Sequence, residues 1–345
     1  MTYHHDGREK GPEQIASLAC LASILEVYGY PKPGNVHRLA DAKDTSMLHF
    51  LASAAAIFSP LVKAGQIGER IGAAEIQSND AEIGQRILHC VESTRKWGIH
   101  QNTNLGIILL LVPLTIAAGA AQWVSKNHFM ENLRFWLRQI LEKSTSNDAV
   151  YVSQAIALAS PSGLGTTSRF DVHSKSVEAE IKKSNATLLD LFVPARGYDL
   201  IASEYTTAFQ ITFEESLPFI GQLKNCYCLE EKTVLLFLHL LSSYPDSHIL
   251  RNKGQKIAED IQREVKNLGT PENILANPLL LWDFDQSLRC RNINPGTIAD
   301  LTASGLFVNL LEQFQKPTFN GLDFCQPLMT GNFSKNSLWY QKSNL

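Results

Sequence analysis

Between Gln101 and Ser125 there is not one charged side chain, and Leu105 to Ala121 is almost wholly apolar. A run of this length permits a membrane span by length alone. Its details favour another reading. Pro113 stands in its middle, Gly106 and Gly119 interrupt it, and Gln101-Asn102-Thr103-Asn104 forms a polar entrance. No second span accompanies it. Such a helix is apolar all round because other helices enclose it. The chain is thus expected to fold around one central buried helix.

The rest of the sequence supplies the enclosing layer. Helix-period patterns run over Glu13–Tyr28, from about Met47, over Ala81–Lys96, around Phe129–Glu142 and around Asn147–Ala159. Thr45 or Ser46 is a natural cap for the helix at Met47, and Pro60 is expected to kink or end it. After the breaker Ser160-Pro161-Ser162-Gly163-Leu164-Gly165, helices are expected over Val177–Val193, Asp199–Phe213, Lys232–Ser242, Gly254–Leu268, Leu279–Arg291 and Thr297–Phe314. Period-two runs of β-branched residues are scarce, so the fold class is all-α. One large helical domain is expected over residues 13–314, with a flexible N-terminus over 1–12 and an irregular C-terminal extension over 315–345.

The chain has 345 residues, of which 44% are hydrophobic, which suits a globular protein. A net charge of −3 offers no bulk attraction to nucleic acid or an anionic membrane. Six cysteines are scattered without a C-x-x-C pair, so they read as free thiols of a reducing, cytoplasmic compartment. The polar stretch Met1–Pro12 lacks the apolar core of a signal peptide.

Four loops carry the polar chemistry. Pro31-Lys32-Pro33-Gly34-Asn35-Val36-His37-Arg38 combines a stiff turn with a point charge, an imidazole and a guanidinium. Lys32, His37 and Arg38, with Gly34 and Asn35, therefore suit a phosphate. Glu26 lies one turn before this break, and Asp41 and Asp44 follow it; such carboxylates beside a phosphate site commonly hold Mg²⁺. Asn102 and Asn104 open the apolar helix, either as caps or as ligands of an anion or ribose. Pro245-Asp246-Ser247-His248 leads to Arg251 and Lys253, cations for a polyphosphate. Asn294-Pro295-Gly296-Thr297 leads to Asp300. For each loop the plainer alternative is a capped helix with solvated charges. No G-x-S-x-G, G-x-G-x-x-G or Walker lysine motif is present, which excludes the common hydrolase, Rossmann and P-loop chemistries.

Taken in order, these segments resemble the triphosphoribosyl-dephospho-CoA synthase family. The resemblance runs from Glu26 to about Leu311. It rests on the Pro31–Arg38 segment, Asp44-Thr45 with His49-Phe50, Asn102–Gly106, Ser162–Gly165 with Asp171, Tyr198-Asp199 with Glu204-Tyr205, Pro245-Asp246-Ser247 and Asn294–Asp300. It implies that ATP donates its triphosphoribosyl group to the 2′-hydroxyl of 3′-dephospho-CoA and that adenine leaves. It also implies roles. Glu26, Asp44, Asp246 and Asp300 are candidate acid–base groups. Lys32, His37, Arg38, Arg251 and Lys253 are candidate phosphate ligands, with Gly34, Asn35, Asn102, Asn104 and Asn294 as further substrate contacts. Asp41, Asp44, Asp171 and Asp246 are candidate Mg²⁺ ligands.

Two segments depart from the citrate lyase pattern: Asn35-Val36-His37 after the Pro-Gly turn, and Gln101–Gly106. The chain is thus similar to a divergent archaeal or methylotroph-like branch. Related glycosyl transfer to a pterin or furan one-carbon carrier stands as the alternative reaction. A non-catalytic helical nucleotide-binding protein stands as the alternative from another class. A homodimer is an open option.

Overall fold

The computed structural model describes residues 11–122, 128–163, 169–223, 227–270, 273–274 and 277–316. Among these residues the fold is all-α, with one isolated bridge between His37 and Ala40 in place of any sheet. The expected termini, 1–10 and 317–345, lie outside the described residues.

Helix α5 (Leu105–Ala121) is the centre, as its composition demands. Every residue in it except Gly106 is buried. Complete burial of each Leu, Ile or Val contributes about 1.5–3 kcal/mol, so this one helix anchors the hydrophobic core. Around it pack α3 (Phe58–Gly72), α4 (Ile83–Lys96) and α6 (Phe129–Glu142). Helix α1 (Pro12–Tyr28) lies against α2 (Met47–Ala56), α3 and the last described helix, Gly296–Gln315, which also packs on α5. Met47–Gly72, spanning α2 and α3, is long and apolar enough to cross a membrane by length and composition, though 39% of its most apolar window is buried inside the protein.

Pro113 does not break α5, because another element repairs the damage. Proline lacks the N–H that would bond the carbonyl four residues earlier. That carbonyl belongs to Leu109, and the Tyr205 hydroxyl donates to it at 2.6 Å. Tyr205 is buried on α10 (Leu200–Thr207) and stacks on Phe192. As expected, the helix that starts at Met47 does not run through Pro60. The helix ends at Ala56, and Pro60 sits in the first turn of α3, where a missing N–H has no partner to lose.

Two long expected helices are divided. Val177–Val193 becomes α8 (Val177–Ser184) and α9 (Leu188–Phe192), split where Asn185 adopts φ +49°. Asp199–Phe213 becomes α10 and a π-helical turn, Ile211–Ser216, followed by α11 (Leu217–Gln222). Ala208 and Phe209, both at positive φ, turn the chain between them. The Glu204 carboxylate accepts from the Ile211 and Thr212 N–H groups. Burial raises its pKa to about 7 even so.

The remaining elements are α7 (Ser146–Ala159), α12 (Leu229–Ser243), α13 (Ser247–Lys253), α14 (Gln255–Lys266), α15 (Pro278–Cys290) and α16 (Gly296–Gln315). The short α13 is absent from the sequence expectation. Among the described cysteines, Cys20, Cys90 and Cys290 are free, but Cys228 is disulfide-bonded. This corrects the free-thiol reading. Sequence spacing does not reveal which sulfurs a fold brings within bonding reach.

Candidate functional site

The loops that open α2, α5 and α16 meet α13 itself in one cleft of about 790 Å³. Its lining includes Glu26, Gly34 and Asn35 from the first loop region, Asp41 to Thr45, Gln101 to Ile107, Ser160 to Ser162, His248, Arg251 to Lys253, Arg289, and Asn292 to Asn294 with Asp300. Segments more than 250 residues apart in sequence thus face the same space. Of the expected site residues, Glu26, Gly34, Asn35, Asp41, Asp44, Asn102, Asn104, Arg251, Lys253, Asn294 and Asp300 line it.

Two carboxyl groups, Asp300 and Glu26, belong to the lining. Asp300 lies near the start of α16, against Gly106 at the start of α5. A Cβ on Gly106 would overlap the Asp300 carboxylate, so glycine is required there. Burial raises the Asp300 pKa well above the ordinary carboxylate range, and the nearby Glu26 and Asp246 charges add to the effect. A carboxylate whose affinity for a proton is raised in this way is a stronger base than an ordinary one. Glu26 is buried and ion-paired with Lys32. Lys32 also donates to Asn35 Oδ1 at 3.0 Å, and Asn35 Nδ2 donates to Asn294 Oδ1 at 2.9 Å. This chain of contacts fixes the Glu26 carboxylate at the edge of the cleft.

The floor explains several departures from expectation. Lys32 is fully buried and does not line the cleft; its ammonium is engaged by Glu26, and burial lowers its pKa against the pull of that partner. It positions an acid rather than a phosphate. His37 is fully buried, 3.3 Å from Asp285 Oδ2, and burial lowers its pKa. Arg38 turns outward to Glu230 and to the Tyr28 hydroxyl. Neither His37 nor Arg38 lines the cleft.

Asp246 is fully buried, and both of its oxygens are occupied. One accepts from Ile249 N at 2.8 Å and caps α13; the other accepts from Ile298 N at 2.7 Å in α16. It therefore holds two helix entrances together and does not line the cleft. Asp171 also lies outside the lining, its Oδ1 accepting from the His173 N–H within a turn.

The structure adds two residues that turn chemistry did not reveal. Asp285, in α15, accepts from Gly34 N at 2.8 Å and from both His37 and Arg289. Burial alone would raise its pKa, but these partners hold it below the usual value. Arg289 also reaches the carbonyl oxygens of Asn35 and Asp41. The pair clamps the first loop onto α15. Gly34 adopts φ +77°, and a Cβ there would strike the Ile293 carbonyl, so the loop docks only with glycine. One signal was available: Asp285 falls on the apolar stripe of Leu281, Phe284 and Leu288, where a carboxylate requires a buried partner.

At the entrance to α5, Asn102 Oδ1 accepts from Leu105 N at 3.1 Å and serves as the cap. Asn104 is buried, and its Nδ2 has no hydrogen-bond partner. An unpaired buried amide beside a cleft is poised for a ligand acceptor. Arg251 is ion-paired with Asp199, whose other oxygen caps α10. The Arg251 Nε remains buried and unpaired. His248 contacts Ser162 Oγ at 3.2 Å, joining α13 to the loop after α7.

Among the described residues no group of three or more His, Cys, Asp or Glu side chains could hold a metal ion unaided. Asp41, whose Oδ1 accepts from the Met47 N–H, and Asp44 are exposed on the cleft wall and are the residues that could hold a cation that keeps several waters and binds through one or two carboxylates and substrate phosphates.

Comparison with known proteins agrees with this architecture. The family model described as CitG, ATP:dephospho-CoA triphosphoribosyl transferase, matches residues 12–319. A 2-(5″-triphosphoribosyl)-3′-dephosphocoenzyme-A synthase of Haemophilus ducreyi is 26% identical over 307 residues, covering 86% of this chain and 87% of the relative. A crystal structure of a candidate triphosphoribosyl-dephospho-CoA synthase from Archaeoglobus fulgidus is 28% identical, with a TM-score of 0.56 over 77% of this chain and 99% of that one. With the loops of that resemblance gathered into one cleft, the chain belongs to the ATP:dephospho-CoA triphosphoribosyl transferase family.

Proposed function

We propose that this cleft moves the 5-triphosphoribosyl group of ATP to the 2′-hydroxyl of 3′-dephospho-CoA and releases adenine, with Asp300 as the general base. The observation that carries the assignment is a carboxyl group, Asp300, standing in the cleft against Gly106 at the start of α5, with Glu26 in the same lining. The bond from the ribose anomeric carbon to the adenine nitrogen breaks, and adenine takes its electron pair. The acceptor oxygen bonds to that carbon as its proton passes to Asp300. The proton then leaves with adenine, so atoms and charge balance.

Positive charge develops on the sugar as the old bond lengthens. Glu26, held in place by Lys32, supplies a fixed negative charge for it. Asn104 Nδ2 and the start of α5 supply donors for substrate oxygens. Mg²⁺, when bound with the triphosphate, neutralises part of its charge; Asp41 and Asp44 are the residues that would hold it.

The test is to incubate the protein with Mg²⁺, ATP and 3′-dephospho-CoA and to resolve the products by chromatography and mass. Free adenine and an acceptor heavier by a triphosphoribosyl group are expected. ADP or AMP in place of adenine would move the reaction to the phosphate chain and end the proposal.

A further inference from the structure

Adenine that departs with the electron pair of its glycosidic bond is a poor leaving group unless one of its ring nitrogens gains a proton. Asp300 receives the proton of the acceptor hydroxyl, so adenine needs a donor of its own. We infer that His248 supplies that proton, through the hydroxyl of Ser162. The inference rests on the reaction proposed above and adds the second half of its proton transfer.

Both residues line the cleft, and among the described residues His248 is the one imidazole in that lining. It is half-buried at the start of α13, and its two ring nitrogens have different surroundings. Nδ1 is turned onto α16, where a Cβ on Gly296 would lie 2.8 Å from it. Nε2 is 3.2 Å from Ser162 Oγ, and Ser162 is exposed. A hydroxyl accepts and donates at once, so a proton on Nε2 has a path through Ser162 into the cleft. The other cations of the lining are lysines and arginines, and these side chains are far weaker acids than imidazolium.

The spacing to Asp300 fits a single displacement. The nucleophile and the leaving group then stand on opposite sides of the anomeric carbon, and in enzymes that invert a sugar the groups serving them are about 6.5–9.5 Å apart. His248 packs on Gly296, the first residue of α16. Asp300 follows four residues later on the same face, about 6 Å along the helix axis. One edge of the cleft thus carries a proton donor and a proton acceptor, spaced for a sugar carbon to lie between them. The surroundings of the imidazole support the role. Burial lowers its pKa, Asp246 opposes the fall, Arg251 adds to it and Asp199 opposes it. An imidazolium in this setting parts with its proton more readily than one in water. As adenine leaves neutral, His248 becomes neutral and Asp300 holds the hydroxyl proton. Return of that proton from Asp300 to His248 resets both groups, so none is gained or lost overall.

A change of leaving group tests the role. Initial rates are measured with ATP and with a triphosphoribose donor that carries p-nitrophenol in place of adenine, for wild type, His248→Gln and Ser162→Ala. p-Nitrophenolate is a stable anion and needs no proton to leave. With ATP, His248→Gln is expected to lower kcat at least about a hundredfold and Ser162→Ala at least about tenfold. With the p-nitrophenyl donor both variants are expected to stay within about threefold of wild type. Calorimetric ATP affinity is expected to stay within about twofold in both. A structural role, or a base serving the acceptor hydroxyl, would lower the two rates equally; that result overturns the inference, as does full adenine release by His248→Gln. Circular dichroism checks folding. If His248→Gln unfolds, Ser162→Ala carries the same comparison from an exposed position. No adenine from the wild type ends the proposed reaction and this role with it. Adenine from the wild type, with equal losses on the two donors, ends this role alone.

Discussion

Asp300 combines two properties that pull in opposite directions. Its position against Gly106 and beside Glu26 gives a carboxyl group that ionises reluctantly. The folded state therefore binds its proton more tightly than the unfolded chain does. Between the unfolded value near pH 4 and the higher folded value, stability falls as pH rises. Above the folded value the full penalty of an ionised Asp300 is present. Asp300→Asn removes that penalty with little change of volume. Adenine release is expected to fall at least about a hundredfold. The melting temperature at pH 8 is expected to rise, and the gain is expected to fade as the pH approaches 4. In the wild type, the acid limb of kcat/KM is expected to lie above the ordinary carboxylate range. Melting curves and rate profiles over pH 4–9 check both; a variant less stable than wild type at pH 8 contradicts this account of the residue.

Lys32 makes the opposite case at the same scale. Removing one partner of a buried ion pair leaves the other charge uncompensated, at a cost of about 3–5 kcal/mol. Lys32→Met is therefore expected to lose that much stability in denaturant unfolding, because Glu26 stays buried without its cation. A phosphate ligand would behave otherwise: ATP binding would weaken while the unfolding midpoint stayed in place.

At the scale of elements, the α5 helix shows how a proline is accommodated. Tyr205 replaces the backbone donor that Pro113 lacks, so the two residues form one unit across α5 and α10. Tyr205→Phe is expected to cost about 1–3 kcal/mol, the penalty of a buried carbonyl left unpaired. In a Pro113→Ala background the helix supplies its own N–H, and the same change is expected to cost much less. A double-mutant cycle by chemical denaturation measures the coupling. Helices were the legible part of the sequence, since wide apolar stripes at 3.6-residue spacing survive into α1, α6, α7, α12, α15 and α16 nearly at their expected bounds. The breaks were less legible. Ala208 and Phe209 turn the chain at positive φ without any Gly or Pro to signal it, and α13 is too short to show a period.

The whole molecule decides which polar residues face the ligand, and that sorting is not local. Glu26, Asp44, Asn102, Asn104, Arg251 and Asp300 could be picked out because turn chemistry places them at or beside helix ends, and those ends converge. Lys32, His37 and Asp246 carry the same local signature. Their partners sit on other elements: Glu26 on α1, Asp285 on α15 and the Ile298 amide on α16. Only the assembled bundle reveals that these three form the floor. Asp246 is the clearest instance, because it joins the helix that carries Arg251 and Lys253 to the helix that carries Asp300. Asp246→Asn keeps one acceptor but turns an amide N–H₂ toward a backbone N–H that needs an acceptor. About 1–3 kcal/mol of stability should be lost. Because α13 and α16 would then separate, binding of both substrates and the rate of adenine release should decline together with the unfolding midpoint. Calorimetry, adenine release and urea unfolding on the same preparation check this. Lost turnover at unchanged stability and unchanged binding would instead place Asp246 in contact with the reacting atoms, which its two backbone hydrogen bonds oppose.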